Sequence, residues 1–149
     1  MKRLIDSSGP TAVVLIRLMV GAVFLSEGVQ KFLFPADIGA GRFAKIGLPA
    51  PEFLAQFVGC FEIGCALLVL AGLLTRVAVV PLIIIMLTAI VSTKIPILHK
   101  SGFWKMAHEA RTDWSMLLGS LFLLIAGSGP ISLDRLIGRR ASEDAKSAR

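Results

Sequence analysis

Residues 10–34 read PTAVVLIRLMVGAVFLSEGVQKFLF, and the run contains only three charged side chains. About 20 mostly apolar residues make a helix long enough to cross the hydrocarbon core of a bilayer. The apolar residues are continuous rather than alternating, and lipid offers no partner to an unpaired backbone amide, so a helix is expected. The stretch therefore predicts a first transmembrane helix.

Three further apolar runs predict three more helices, at residues 53–74, 76–95 and 113–129. The connection at residues 72–76 is so short that the second and third helices must be antiparallel neighbours. The fold class that follows is an all-α integral membrane four-helix bundle with both termini on the same side. Residues 1–149 are expected to form this single membrane domain.

The sequence after the fourth helix predicts a short interfacial helix. Ser132 can cap it, and its apolar residues Leu133, Leu136 and Ile137 would then face lipid. The tail at residues 139–149 is charged and has few apolar residues, which predicts disorder.

Composition and charge agree with a lipid solvent. Hydrophobic residues make up 55% of the 149-residue chain and charged residues 17%, with a mean hydropathy of +0.78. The net charge of +6 lies mainly at the two ends and in the third connection. It is not interleaved with aromatic residues, so the basic residues are interpreted as lipid anchors and nucleic-acid binding is excluded. The terminal side holds eight lysines and arginines against seven on the other, so the positive-inside rule predicts cytoplasmic termini.

Five charged residues fall within or beside the predicted spans, where each costs about 2.5–3.5 kcal/mol at the bilayer centre. They are Arg17, Glu27, Lys31, Glu62 and Lys94. Glu27 and Lys31 are four residues apart and can pair on one helix. Glu62 lies about 14 Å into its helix, near the midplane. The Glu62 carboxyl group either carries a proton or pairs with Arg17, Lys31 or Lys94. Its role is either structural, as a buried contact between helices, or functional, as part of a ligand or proton site.

One stripe of the first helix carries Arg17, Gly21, Phe24, Gly28 and Lys31, at spacings of four, three, four and three residues. Its two glycines are expected to let another helix approach closely.

The depths of these polar residues predict a polar chamber that opens between the first and third connections. Asp113 falls in the same half of the membrane as the acidic and basic groups above, although it can instead cap or complement the start of the fourth helix. The candidate chamber residues are Arg17, Glu27, Lys31, Gln56, Glu62 and Asp113, with Glu62 as the candidate proton relay. No span contains a histidine, so no haem is expected between these helices, and no metal site or nucleotide-binding motif is predicted.

The chain resembles the DoxX family of small bacterial membrane proteins. The resemblance lies in ordered pieces spread over most of the chain: residues 17–21, 28–31, 46–51, 61–64, 72–76 and 127–134. It implies a four-helix bundle in the bacterial cytoplasmic membrane. Some family members are described as membrane subunits of thiosulfate:quinone oxidoreductases, and others as partners of redox-defence proteins. In the family, the glutamate that corresponds to Glu62 is often followed by Gly-Gly, whereas this chain has Gly64-Cys65 in that place.

Three functions remain open from the sequence. The first is a membrane subunit of a quinone-linked redox system, in which Glu62 and Arg17 position or protonate a quinone headgroup. Quinone is then the candidate cofactor, and the chain is not expected to act as an autonomous enzyme. The second is a structural or assembly subunit that docks a soluble partner, and the third is a small-solute or proton permease. The expected partners are the lipid bilayer and either another protein or further copies of the chain.

Overall fold

The computed structural model describes residues 11–139, and every regular element in that part of the chain is helical. The elements are α1 (Val13–Leu33), α2 (Ala40–Lys45), α3 (Pro51–Ala71), α4 (Thr75–Ala89), α5 (Ile95–Ser101), α6 (Phe103–Glu109), α7 (Arg111–Ala126) and α8 (133–139). The π-helical turn Ile90–Lys94 joins α4 to α5. The all-helical prediction is thus confirmed for this part of the chain. The tail that was predicted to be disordered lies outside the described residues from position 140 onward.

Three helical stretches are long and apolar enough to cross a bilayer: Val13–Leu33, Pro51–Ala71 and the continuous Thr75–Ser101. Large apolar side chains cover their outer surfaces, as a lipid solvent allows. The predicted fourth span corresponds to α7, which has 16 residues and is about 24 Å long. Since the hydrocarbon core is about 30 Å thick, a fourth crossing and the sides of the termini stay predictions.

The third span does not end before Pro96, as the sequence predicts, but runs on to Ser101. Proline lacks the amide hydrogen that an α-helix interior uses. The π turn Ile90–Lys94 resets the hydrogen-bond ladder just before Pro96, which then occupies the start of α5, where that hydrogen is not needed.

The tight connection between α3 and α4 makes them antiparallel neighbours, as predicted. Gly72 adopts a φ of +68° and Leu74 a φ of +48°. A left-handed backbone conformation costs a leucine residue about 1–2 kcal/mol of conformational free energy. The Leu74 amide donates a hydrogen bond to Asp134 Oδ1 (2.9 Å), which stabilises this conformation.

Close packing between α1 and α3 fixes the centre of the bundle. A Cβ atom at Gly28 would stand 2.8 Å from Ile63 Cγ1 and 3.0 Å from the backbone oxygen of Gly59, and one at Gly21 would stand 2.5 Å from Leu70 Cγ. Only glycine permits these approaches, so the glycine stripe acts as predicted.

The core lies where α1 and α3 meet α4 and α7. Phe24, Leu82 and Leu123 are among its fully buried side chains. The buried residues of α4 are Thr75, Ala78, Val79 and Leu82, all in its first half. The second half of α4 therefore borders less densely packed space.

Candidate functional site

A cavity of about 490 Å³ lies in that less densely packed half of the bundle. Its walls come from α1, α3, α4, the π turn and α7, and the short helix α2 covers part of it with Arg42 and the buried Phe43. We call this end, where α1 stops and α7 begins, the loop end, and the opposite end the terminal end. Most lining residues are apolar, and the charged ones are Glu27, Lys31, Arg42, Glu62, Lys94, Glu109 and Asp113.

The shortest ion pair in the cavity joins Lys31 Nζ to Glu62 Oε2 at 2.6 Å. Glu62 is only 2% exposed and Lys31 is buried. Side chains on a helix lean toward its N-terminus, and α1 and α3 are antiparallel, so Lys31 leans into the membrane while Glu62 leans toward the loop end. The two groups therefore meet, and Lys31 is the partner of Glu62 among the three that the sequence left open.

A second ion pair joins Lys94 Nζ to Asp113 Oδ2 at 3.1 Å. Lys94 is the last residue of the π turn and is buried. Asp113 lies in the first turn of α7, where a carboxylate complements the positive end of the helix dipole, but it does not cap the helix. Asp113 thus combines the two roles that the sequence allowed.

Both lysines keep hydrogen-bonding capacity. An ammonium group has three donors. Lys31 uses two of them, on Glu62 and on the backbone oxygen of Glu27 (3.4 Å), and the only recorded partner of Lys94 among the described residues is Asp113. The Glu27 carboxylate lines the cavity half-buried and forms no ion pair within residues 11–139. The Glu109 carboxylate, which also lines the cavity, forms no ion pair within the described residues either. The cavity therefore offers unused donors and two unused carboxylates beside apolar walls.

Four of the predicted chamber residues come together here: Glu27, Lys31, Glu62 and Asp113. Gln56 does not line the cavity and is exposed on α3. Its depth agrees with the prediction, but it is six residues from Glu62, which places the two side chains about 120° apart around the helix.

Arg17, one of the three candidate partners of Glu62, also lies outside the cavity and does not pair with Glu62. It is buried at the terminal end, where its guanidinium donates to four backbone carbonyl oxygens. Nε donates to Val69 (2.9 Å), Nη2 to Leu70 (2.5 Å), and Nη1 to both Ser128 (2.9 Å) and Ile131 (2.5 Å). These bonds tie α1 to the end of α3 and to the segment that follows α7.

The same stripe of α1 thus serves two separate sites. Arg17 and Lys31 share a face, but 14 residues of helix separate them by about 21 Å. At the terminal end, Asp134 completes the network by accepting hydrogen bonds from the Leu74 amide (2.9 Å) and the Ser128 hydroxyl (3.2 Å).

Sequence reasoning missed several residues of the cavity. Arg42 and Phe43 belong to a short helix in a connection, and Glu109 comes from the end of α6. Ser92 and Thr93 line the cavity from the π turn, and both hydroxyls donate to the Ala89 carbonyl. An i→i+5 turn has no clear sequence signal, and charges in connections are normally interpreted as solvated.

Comparison with known proteins identifies a matching family and relatives. The DoxX family model matches residues 12–95. The chain is 56% identical to "Uncharacterized membrane protein Rv3486" of Mycobacterium tuberculosis, over 94% of this chain and 90% of the relative. It is 30% identical to "Putative oxidoreductase CatD" of Bacillus subtilis, over 83% of this chain and 84% of the relative. No solved structure matches the chain.

Proposed function

Since this chain belongs to the DoxX family of membrane proteins, we propose that it is a membrane subunit of a quinone-linked redox system and that the cavity holds the quinone headgroup. The observation that carries the proposal is that two lysine–carboxylate ion pairs, one of them almost fully buried, face a largely apolar cavity. The name of the Bacillus subtilis relative, which contains the word oxidoreductase, supports a redox role.

The cavity suits a quinone ring in size and chemistry. Sites for small molecules measure about 300–1,000 Å³ and combine apolar walls with a few polar groups. Phe24 and Met116 lie among the apolar lining residues and can pack against a ring. The unused ammonium hydrogens of Lys31 and Lys94 are donors for its two carbonyl oxygens, which can only accept.

Glu62 is the proposed proton donor. Converting a quinone to a quinol takes up two electrons and two protons, and a protein partner that carries a redox group would supply the electrons. In the ion pair Glu62 is a carboxylate without a proton, so it acts as a relay: it takes up each of the two protons in turn through the cavity and passes it to a carbonyl oxygen held at Lys31. Glu27 and Glu109 line the same cavity, and Glu109 is exposed to water, so the two carboxylates would relay protons to Glu62.

Arg17 has no part in this proposal. Its four hydrogen bonds to backbone carbonyls give it a structural role about 21 Å away along α1. We further propose that the protein resides in the bacterial cytoplasmic membrane with its termini in the cytoplasm, and that it works with a protein partner or as a homo-oligomer.

Quinone content of the purified protein tests the proposal. After extraction in a mild detergent, we expect about one quinone per folded chain, and at least about a tenfold lower content per folded chain in Glu62→Gln and Lys31→Met. Glu52→Gln is the matched control, because Glu52 is exposed on the same helix and does not line the cavity. Wild-type protein that neither retains quinone nor binds added quinone would refute this function.

A structural or assembly subunit is the second candidate function, and one observation favours it. On α6, Trp104 is 83% exposed and stacks edge-on with the exposed Phe103. Such aromatic residues can anchor a docked protein. In that case a partner would co-purify equally well with wild type and Glu62→Gln, and would be lost in Trp104→Ala.

A further inference from the structure

We infer that the cavity also opens sideways into the bilayer between α3 and α4, and that its ligand is therefore a membrane-dissolved molecule with a long apolar tail. This inference rests on the proposed function and specifies its substrate class. Three residues, which we call the window, carry it: Phe57 on α3, and Ile84 and Thr88 on α4. Each lines the cavity and is also exposed on the outside of the bundle, Phe57 by 51% and Ile84 by 59%.

The window lies at the depth of the lipid tails. Ile84 is nine residues from the start of α4, about 14 Å along the helix, and Thr88 is about 20 Å along it. Phe57 is about 9 Å from the loop end of α3, which places it near the level of Thr88. In a hydrocarbon core about 30 Å thick, all three face acyl chains rather than headgroups.

The separation of α3 and α4 explains why the window exists. The tight turn at residues 72–74 holds the two helices together at the terminal end, and α4 is buried there as far as Leu82. Beyond Leu82, Lys94 is the next buried residue of this stretch, and its ion pair is with Asp113 of α7. The π turn is therefore held against α7, and the cavity occupies the space that Phe57 of α3 and Ile84 of α4 both line.

The rim of the window is apolar throughout. Phe57 and Ile84 are hydrocarbon side chains, and the hydroxyl of Thr88 donates to the Ile84 carbonyl (2.9 Å), so it presents no unsatisfied donor to lipid. Such a rim suits a hydrocarbon tail and does not suit water or an ion.

The loop end of the cavity has the opposite character. Its exposed lining residues there are Arg42, Glu109 and Thr112. A water-soluble ligand would need only this polar mouth. An apolar window at mid-membrane, together with charged groups deeper in the same cavity, fits a ligand whose polar head binds at Lys31 and Glu62 while its tail passes between Phe57 and Ile84.

Two quinones with the same headgroup test this inference, one with a single isoprene unit and one with a long polyisoprenoid tail. Binding is measured to the full-length protein in lipid nanodiscs. Ile84→Trp narrows the window, and we expect it to weaken binding of the long-tailed quinone at least about tenfold while the short-tailed quinone changes by less than about twofold. Leu87→Trp is the control, because Leu87 is exposed on the same helix but does not line the cavity.

A second variant guards against misfolding of Ile84→Trp. Phe57→Ala widens the window, and we expect it to bind the long-tailed quinone faster than wild type does. Equal binding of both quinones in Ile84→Trp and unchanged association in Phe57→Ala would overturn the window while leaving the proposed function intact. Failure of wild type to bind either quinone would instead overturn the proposed function, and this substrate class with it.

Discussion

Removing one partner of the Lys31–Glu62 pair should destabilise the protein far more than removing both. The two groups are 2.6 Å apart and almost fully buried, so their attraction is about 6 kcal/mol at an effective dielectric constant of about 20. Most of that attraction offsets the cost of taking both charges out of water. A single substitution loses the attraction but keeps one desolvation cost, which is a net loss of about 3–5 kcal/mol.

The double variant Lys31→Met/Glu62→Gln leaves no uncompensated charge in the interior. We expect its free energy of unfolding to lie within about 1.5 kcal/mol of wild type, since well-packed neutral replacements of buried pairs are often tolerated. The coupling energy, obtained by comparing the double variant with the two single variants, should then exceed about 3 kcal/mol.

Thermal or SDS-induced unfolding of the purified protein, followed by circular dichroism, measures these differences. Each single substitution should lower the apparent Tm by about 10 °C, and Glu52→Gln should leave it nearly unchanged, because Glu52 is exposed. Single variants that each lose less than about 0.5 kcal/mol, or a double variant whose loss equals their sum, would refute a coupled buried pair.

Three further predictions concern other contacts. Arg17→Lys should lower the free energy of unfolding by about 2–3 kcal/mol, because one ammonium cannot reach all four carbonyls that the guanidinium contacts. The quinone content per folded chain should stay unchanged. A selective loss of quinone would show that Arg17 belongs to the site after all. Gly28→Ala should destabilise the protein by about 1–3 kcal/mol by forcing α1 away from α3, whereas Gly64→Ala, where a Cβ meets open space, should not; equal Tm values for the two variants would contradict the close approach. Asp113→Asn should weaken quinone binding less than Glu62→Gln does, because the Lys94–Asp113 pair is longer and less buried than the Lys31–Glu62 pair. Titration of quinone binding to the two variants measures this, and a larger loss in Asp113→Asn would contradict the prediction.

Much of the membrane architecture can be predicted from local sequence. The apolar run at residues 10–34 predicts a helix wherever lipid is the solvent, since a single segment can satisfy its own backbone groups there only as a helix. The glycine stripe on that helix predicted close packing, and the structure confirms it at Gly21 and Gly28. The limit of this approach is visible at Pro96, where a π turn allows the helix to continue past a residue that normally ends one.

The candidate site was predicted only in part. Depth along a helix can be counted from the sequence; that count places Glu62, Lys31 and Asp113 in one half of the bundle, and all three line one cavity. The face that a residue presents depends on how the helices dock, and for that reason Gln56 proved to face outward.

The sequence by itself determined that the chain forms apolar helices with a few embedded charges, because hydrophobicity and helical periodicity are properties of single segments. Only the tertiary structure decided which charges meet. Arg17, Lys31 and Lys94 were all candidate partners of Glu62, and the antiparallel packing of α1 against α3 selected Lys31. Arg17 instead satisfies carbonyls at the terminal end and Lys94 pairs with α7. A charge interacts strongly only over a few ångströms, and in this bundle those distances are set by contacts between segments far apart in the chain.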